Sequence, residues 1–300
     1  MTTASARRNR LRIGLGQVAP SLGRVADNLA AHEQMIDQAR AAAVDLLVFP
    51  ELGLTGYLLQ DLNAEVAMAA DDPRLAALAQ RAASMSTVVG FVERAPDEQL
   101  LIAAALMEDG AIQHVYRKSY LPNYGLFDEQ RFFGAGNRLR ALDSRLGVRL
   151  GLCICEDFWH LPVPYLLALD GAQILVNISS SPGRDIAATN DGALGTAESW
   201  GTIMRAYAQL TTTFVVFVNR VGVDESVTFW GGSQVIDPAG DVVFQAPLLE
   251  SGLFTVDIDL DDVRRERTAM TLLRDERPEF VLRNLERLVR EQAGVPQDPE

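Results

Sequence analysis

The chain has 300 residues, of which 48% are hydrophobic and 22% charged, a composition that can bury a large core and is typical of a soluble globular protein. Its net charge of −13 gives a surface that repels phosphate backbones, so nucleic acid is not an expected partner. No apolar run reaches the roughly 18 residues of a membrane-spanning helix, and the first ten residues lack the apolar core of a signal peptide, so no membrane association is predicted.

Strands and helices alternate along the first half of the chain. Apolar runs of strand length and apolar residues at helical spacing distinguish the two kinds of element. A proline near the start of the second helix fits the first turn of a helix. The predicted order is a strand over 11–20, a helix over 23–43, a strand over 44–52, a helix over 71–85 and strands over 86–94, 101–110 and 111–119, of which the last two form a hairpin.

The second half predicts strands over 145–157, 173–179, 213–222 and 252–260, helices over 162–172 and 191–212, a hairpin over 230–247 and a charged helical tail. Adjacent strand pairs such as these hairpins do not occur in a pure doubly wound parallel sheet. A mixed sheet, or two packed sheets with helices outside, fits the order better. No linker rich in Pro, Gly or Ser divides the chain, so one domain is expected.

Three of the predicted strands end on a reactive side chain: Glu51, Lys118 and Cys155. Strand ends are common positions for catalytic groups because the sheet fixes their geometry. Glu51 could be a solvated acid at the start of a loop. It follows Pro50 and precedes a mostly apolar segment, however, which favours partial burial and general acid–base work.

Lys118 is the only lysine among the 27 Lys and Arg residues of the chain. Either a drift toward arginine left one lysine behind, or this position needs a compact ammonium that a planar guanidinium cannot replace. An ammonium beside a thiol is expected to lower the pKa of that thiol and to hydrogen-bond the oxyanion of a tetrahedral intermediate.

Cys153 and Cys155 differ in their surroundings. Cys153 lies in the middle of an apolar strand and is expected to be an inert buried side chain, whereas Cys155 ends the strand and is followed by Glu156 and Asp157. The thiol of Cys155 is therefore expected at the mouth of a site. Two cysteines this close in one strand cannot form an ordinary disulfide, and their number excludes a disulfide framework, which favours the cytoplasm.

Two other uses of Cys155 are disfavoured by the rest of the sequence. A metal site would need more soft ligands, and the three histidines, at positions 32, 114 and 160, do not stand at ligand spacing. The same histidines form no evident Cys–His–Asn set. A glutamate base with a lysine beside it remains as a way to activate the thiol of Cys155 as a nucleophile. No metal is predicted.

The set Glu51, Lys118 and Cys155, in this order and spacing, resembles the nitrilase (carbon–nitrogen hydrolase) superfamily. A narrower resemblance, to the glutamine-hydrolysing domain of glutamine-dependent NAD synthetase, rests on the segments FPELGLTGYLLQDL, KSYLPNYGLFDEQRFF, ICEDFW and VNRVGVDESVTFWGGSQVIDPAGDVV. The resemblance covers residues 10–260.

This resemblance implies an α/β fold, a four-layer α-β-β-α sandwich, and homo-oligomers. It places a carbon–nitrogen hydrolase domain over residues 10–262, extended by a helix and tail over 263–300, and no cofactor is predicted. It implies Glu51 as general base and acid, Lys118 as the oxyanion stabiliser, Cys155 as the nucleophile and Glu129 as the acid that orients the lysine. The substrate pocket is expected to be lined by Tyr124, Glu156, Ser181 and Arg184.

Two departures from the synthetases qualify this reading. Their ATP-dependent domain, with its Ser-Gly-Gly-X-Asp-Ser loop, is not found in these 300 residues, so the chain is not expected to make NAD alone. The segment after VNISSSP leads directly into Gly183 and Arg184, which leaves glutamine specificity open. Three functions follow: an amidase for a small amide, a glutaminase subunit that supplies ammonia to a separate ATP-dependent synthetase, or a non-catalytic regulatory or structural protein.

Overall fold

The computed structural model describes residues 9–183, 195–224 and 226–293. Its first sheet has six strands, with a parallel centre flanked by antiparallel strands. Their spatial order is β14 (Gly252–Asp259), β1 (Arg10–Gln17), β2 (Leu46–Val48), β3 (Ser86–Arg94), β4 (Leu100–Glu108) and β5 (Ala111–Arg117).

The second sheet repeats this plan, because three central strands are parallel and the outer strands are antiparallel. Its spatial order is β13 (Val242–Gln245), β12 (Gln234–Ile236), β9 (Phe214–Asn219), β8 (Ile174–Ser179), β7 (Arg149–Ile154) and β6 (Ala141–Asp143). The strands β10 (Val221–Asp224) and β11 (Val227–Trp230) form a separate ribbon. The central strands are buried on both faces, as their continuous apolar sequences require.

Helices lie on the outer face of each sheet, whereas the last helix of the described residues, over 278–292, has no buried residue. Those of the first half are α1 (Val25–Ala41), α2 (Asn63–Val66), α3 (Pro73–Arg81) and α4 (Glu129–Phe132). Those of the second half are α5 (Pro162–Leu169), α6 (Gly195–Thr211), α7 (Asp261–Ala269), α8 (Leu272–Asp275) and α9 (Pro278–Gln292). Short 3₁₀ helices span Gln60–Leu62 and Cys155–Trp159.

The layers stack as helices, sheet, sheet, helices. Helices α1 and α3 pack on the first sheet, α5 and α6 pack on the second, and the inner faces of β1, β4 and β5 meet β9 and β7. This arrangement confirms the predicted α/β sandwich. The start of α3 follows its sequence signals, since the Asp72 side chain accepts the backbone N–H of Arg74 (2.8 Å) and Pro73 occupies the first turn.

The strand predicted over 213–222 is the element that differs most. The sheet strand β9 ends at Asn219, and the chain then leaves the sheet to form β10. Arg220 marks the exit, because its buried guanidinium pairs with Asp224 (2.6 Å) and lies over the ring of Phe229 (4.1 Å). Gly222 has a φ of 107°, a conformation that a residue with a side chain rarely adopts. An apolar pattern does not reveal this local turn.

No helix among the described residues combines the length and the apolar composition needed to cross a bilayer.

His32 makes the folded chain sensitive to acid. Burial lowers the pKa of His32 to about 4, and its Nδ1 lies 2.8 Å from the Asn28 carbonyl oxygen. The unfolded chain binds the extra proton near pH 6.5, so stability is complete above that pH and is lost as the pH falls toward 4. We expect the loss in unfolding free energy between pH 7 and pH 4.5 to be smaller by about 2–3 kcal/mol in His32→Gln than in the wild type. Urea unfolding at both pH values measures it, and equal losses would contradict the prediction.

Candidate active site

Three strand ends from the two sheets meet at one place. Glu51 follows β2 and Lys118 follows β5 in the first sheet, whereas Cys155 follows β7 in the second. The charges of Glu51 and Lys118 both act on the Cys155 thiol, which shows that the structure brings the three predicted side chains together. The predicted fourth residue, Glu129, is the first residue of α4 and joins the same group.

Lys118 lies between two carboxylates. Its Nζ donates to Glu51 Oε1 (2.7 Å) and to Glu129 Oε1 (2.8 Å), and the three side chains are almost wholly buried. Burial alone would lower the pKa of Lys118, but Glu129 and Glu51 together raise it well above its ordinary value. The ammonium is therefore charged at neutral pH. It has three N–H donors, so one remains for an acceptor beyond these two bonds.

Glu129 has its own supporting contact. Its Oε1 also accepts the hydroxyl of Tyr57 (2.5 Å), whereas its buried Oε2 has no hydrogen-bond partner among the described residues. Burial, aided by the charge of Glu51, raises the pKa of Glu129 to about 7, although Lys118 opposes the rise. Glu129 therefore gives up its proton less readily than an exposed glutamate does.

Glu51 is fixed from the second sheet. The backbone N–H of Ser180, just after β8, donates to Glu51 Oε2 (2.8 Å), and the Ser180 hydroxyl donates to the Glu51 carbonyl oxygen (2.8 Å). These bonds hold both the side chain and the backbone of a fully buried glutamate. Its carboxylate can therefore face Lys118 without freedom to swing away.

Gly90 on β3 lets the segment around Glu51 approach the sheet. A Cβ atom at this position would lie 2.5 Å from the Pro50 carbonyl oxygen, 2.6 Å from the Leu52 nitrogen and 2.9 Å from the Glu51 Cα. These are backbone atoms, so no side chain can rotate to make room. The glycine is therefore needed for the position of Glu51.

Gly90→Ala is expected to lower activity and stability together. The extra methyl group pushes the backbone at Glu51, which we expect to cost about 1–3 kcal/mol in unfolding free energy and about 10²-fold in kcat. Gly201→Ala on α6 is the matched control, because a Cβ there meets no atom within 4 Å. It should be neutral or stabilising by about 0.5–1 kcal/mol. Wild-type kcat in Gly90→Ala would contradict the close approach.

Cys155 begins the 3₁₀ helix Cys155–Trp159 with a φ of 47°, which is uncommon for a residue other than glycine. Burial, followed by the charge of Glu51, raises the pKa of its thiol well above the ordinary value, and Lys118 opposes this only in part. The sequence led us to expect that the lysine would lower the pKa of the thiol. Lys118 does lower the pKa of the thiol, but burial and the charge of Glu51 raise it by more. The resting thiol is therefore neutral and needs a base at the moment of attack.

The thiol opens on a cavity of about 270 Å³. Three of the predicted substrate-binding residues, Tyr124, Glu156 and Ser181, line it, whereas Arg184 lies outside the described residues. The described lining consists of Tyr124, Phe127, Cys155, Glu156, Trp159, Ser181, Pro182, Gly195, Thr196, Ser199 and Trp200.

Glu156 is the one charged side chain in the described part of this lining. The Tyr124 hydroxyl donates to its Oε2 (2.9 Å), and His160 Nε2 lies 3.7 Å from its Oε1. Ser181 is fixed in the cavity wall, because its hydroxyl oxygen accepts a hydrogen bond from Trp200 Nε1 (2.8 Å). A cavity with a carboxylate in its wall favours a ligand that carries a positive group.

Sequence reasoning missed Ser180, Gly90 and Tyr57. Ser180 and Tyr57 act through contacts with residues distant in sequence and gave no local signal. Gly90 did give one, because an isolated glycine inside a strand often marks the close approach of another backbone. No cluster of His, Cys, Asp and Glu among the described residues could hold a metal ion.

Comparison with known sequences adds to this geometry. The family profile described as Carbon-nitrogen hydrolase matches residues 12–268. The chain is 35% identical over 263 residues to the glutamine-dependent NAD(+) synthetase of Thermotoga maritima, covering 84% of this chain and 43% of that protein. It is 25% identical to the N-carbamoylputrescine amidase of Arabidopsis thaliana, covering 85% and 89%. The chain thus spans less than half the length of the synthetase.

Solved structures show the same fold. The glutamine-dependent NAD+ synthetase of Acinetobacter baumannii superimposes with a TM-score of 0.76 at 28% identity, covering 85% of this chain and 46% of that one. A variant of the amidase from Nesterenkonia sp. superimposes with a TM-score of 0.75 at 25% identity, covering 93% and 97%. That amidase structure shows covalent addition of the acetamide moiety of fluoroacetamide at the active site cysteine.

Proposed function

Because the chain belongs to the carbon-nitrogen hydrolase family and is a hydrolase of carbon–nitrogen bonds other than peptide bonds, we propose that it hydrolyses a small amide to an acid and ammonia. The observation that carries this proposal is the buried Glu51–Lys118–Glu129 group beside a thiol that opens on a cavity. Burying an ammonium between two carboxylates has a large desolvation cost, so we expect the group to have a function. Acyl transfer through Cys155 supplies one.

In the first step, the Cys155 sulfur attacks the amide carbon while Glu51 takes the thiol proton. Because the resting thiol is neutral, the proton leaves as the carbon–sulfur bond forms. The amide oxygen becomes an oxyanion, which accepts the remaining N–H of Lys118 and the backbone N–H that follows Cys155. That N–H lies in the first turn of a helix, where backbone donors lack partners within the helix. Loss of one such donor costs about 3–4 kcal/mol in other enzymes.

In the second step, the carbon–nitrogen bond breaks and Glu51 returns its proton to the departing nitrogen. Ammonia leaves, and the acyl group remains on Cys155 as a thioester. Glu51 then takes a proton from water, whose oxygen attacks the thioester carbon, and the acid leaves as the thiol regains its proton. Glu51 thus acts as base, then as acid, then again as base, and finally as acid when it returns the proton to the Cys155 sulfur. Acid–base catalysis of this kind contributes about 10²–10⁴-fold.

The wall of the cavity favours an amide that also carries an amine. Glu156, supported by Tyr124, can pair with an ammonium group of the substrate. Glutamine is one such amide, and the resemblance to the synthetases supports a second candidate function. In that case the chain is a glutaminase subunit that feeds ammonia to a separate ATP-dependent synthetase. It would then show little activity alone and would be stimulated by that partner.

A non-catalytic regulatory or structural role is the third candidate, and the reactivity of Cys155 separates it from the other two. An unreactive thiol toward iodoacetamide over a broad pH range would favour it. Homo-oligomers, which the resemblance implies, stay a prediction that light scattering of the purified protein can check.

The experiment that tests the proposed function is ammonia release from a panel of small amides, glutamine included, with Cys155→Ala as the blank. Turnover of several amides with glutamine ignored supports the amidase, and turnover of glutamine alone supports the glutaminase subunit. No ammonia from any amide, together with an inert Cys155, would overturn both.

A further inference from the structure

One buried carboxylate joins the two chain segments that carry Lys118 and Cys155. Asp157 Oδ1 accepts the backbone N–H groups of Ser119 (3.1 Å) and Tyr120 (3.0 Å), which directly follow Lys118. Its Oδ2 accepts the backbone N–H of Ile154 (2.9 Å), which directly precedes Cys155, and the hydroxyl of Tyr116 (2.7 Å). Asp157 itself is fully buried.

We propose that Asp157 is a positioning residue that fixes the separation of the Lys118 ammonium and the Cys155 thiol. This inference rests on the proposed function and deepens it. Each hydrogen-bond partner of the Asp157 carboxylate is within two residues of Lys118 or Cys155 along the chain. Tyr116, Ser119 and Tyr120 surround Lys118, and Ile154 precedes Cys155. These residues follow or end strands of different sheets, so the carboxylate ties the two sheets at the candidate site.

A carboxylate suits this position because all four of its partners are donors. An ionised carboxyl group only accepts, with about four lone-pair sites, so each donor is satisfied. Burial raises the pKa of Asp157 to about 6, although the bonds from Ile154, Tyr116 and Tyr120 oppose the rise. The group is thus mostly ionised at neutral pH. An asparagine would turn an NH₂ group toward two of the donors and lose at least one backbone bond.

The backbone of Cys155 supplies a second, independent observation. With a φ of 47°, this residue is held in a sparsely populated conformation that surrounding contacts must enforce. Asp157 is the third residue of the helix that begins at Cys155, and its side chain accepts the backbone N–H of Ile154, the residue before the helix. This hydrogen bond therefore closes a turn that contains Cys155. Loss of this bond is expected to release the turn that presents the thiol.

A matched control separates positioning from mere stability. Glu108 is another buried carboxylate that joins segments, since it accepts the hydroxyls of Ser86 (2.6 Å) and Ser144 (2.8 Å) and the backbone N–H of Arg145 (3.2 Å). It lies at the other end of β4 from Ile102, whose carbonyl accepts the Lys118 N–H. Six residues of strand place it about 20 Å away.

The test compares Asp157→Asn, Glu108→Gln and Tyr116→Phe in thermal midpoint, in kcat and KM, and in the pH profile of Cys155 alkylation by iodoacetamide. The charged groups that act on this thiol are Glu51, Lys118, Glu129 and Glu156. Asp157→Asn should lower kcat by about 10²-fold with little change in KM. It should also move the alkylation midpoint to higher pH, because the ammonium moves away from the thiol.

The other variants give graded outcomes. Glu108→Gln should lower the thermal midpoint and leave kcat and the alkylation profile unchanged. Tyr116→Phe removes one of the four donors. It should lower kcat and raise the alkylation midpoint as Asp157→Asn does, but by a smaller amount. The proposal is wrong if Asp157→Asn loses only stability, or, where that variant does not fold, if Tyr116→Phe keeps the wild-type profile and kcat. Should the wild type hydrolyse no amide, the free-standing amidase proposal fails, and the alkylation profiles alone decide on Asp157.

Discussion

Lys118→Arg is expected to lower kcat/KM by about 10²–10³-fold or more, although the positive charge is retained. The single Nζ atom donates to Glu51 at 2.7 Å and to Glu129 at 2.8 Å while keeping a third donor for the substrate. A guanidinium spreads its donors over a rigid planar fork and cannot place them all at one point. The larger group also has to fit a site where the lysine side chain is fully buried. This prediction follows if position 118 requires a lysine for its geometry and not only for its charge.

Steady-state kinetics of Lys118→Arg beside the reverse exchange Arg131→Lys would measure this effect. Arg131 lies two residues from Glu129 but is exposed and only loosely paired with Asp128 at 3.8 Å. Its replacement should change stability by no more than about 0.5 kcal/mol and leave kcat/KM unaltered. Full activity in a folded Lys118→Arg would show that any cation serves at this position.

Glu51→Gln is expected to lower kcat by about 10²–10⁴-fold. The glutamine side chain has the same shape and can still accept the Ser180 N–H, which lies 2.8 Å from Glu51 Oε2 in the wild type. It cannot take a proton from the thiol. Burial, the main cause of the raised pKa of Cys155, remains in this variant, so raising the pH within the neutral range should rescue little of the lost rate.

Kinetics between pH 6 and pH 9 provide the measurement, with the exposed acid Glu65 changed to Gln as a control for the loss of one carboxylate. Glu65→Gln should match the wild type throughout. If Glu51→Gln kept wild-type kcat near pH 7, the base in this chemistry would have to be another group, with Glu129 the nearest candidate.

The positions of the three reactive side chains at strand ends could be predicted from the sequence, because an apolar pattern shows where a strand stops. Glu51, Lys118 and Cys155 each stand where an apolar run stops, and the fold brings those ends together. Glu129 was named only through resemblance to a family, and the structure puts its Oε1 2.8 Å from Lys118 Nζ. Ser180 could not be found in this way, because its bond to Glu51 joins residues 129 positions apart in the chain.

The electrostatics of the site also needed the structure. From the sequence, a lysine beside a thiol implies a thiol of lowered pKa. The actual pKa depends on burial and on the carboxylates of Glu51, Glu129 and Glu156, which outweigh the lysine. Likewise, Asp157 reads in the sequence as one polar residue after a strand, whereas its four hydrogen bonds connect two sheets.

The most direct test of thiol-based amide hydrolysis is the intact mass of the protein after rapid acid quenching of its reaction with the best amide of the panel. We predict a wild-type species heavier by the acyl group, mapped to Cys155 by peptide analysis, and no such species in Cys155→Ala. Steady ammonia release without any acylated protein, continuing undiminished in Cys155→Ala, would contradict a thioester mechanism at this site.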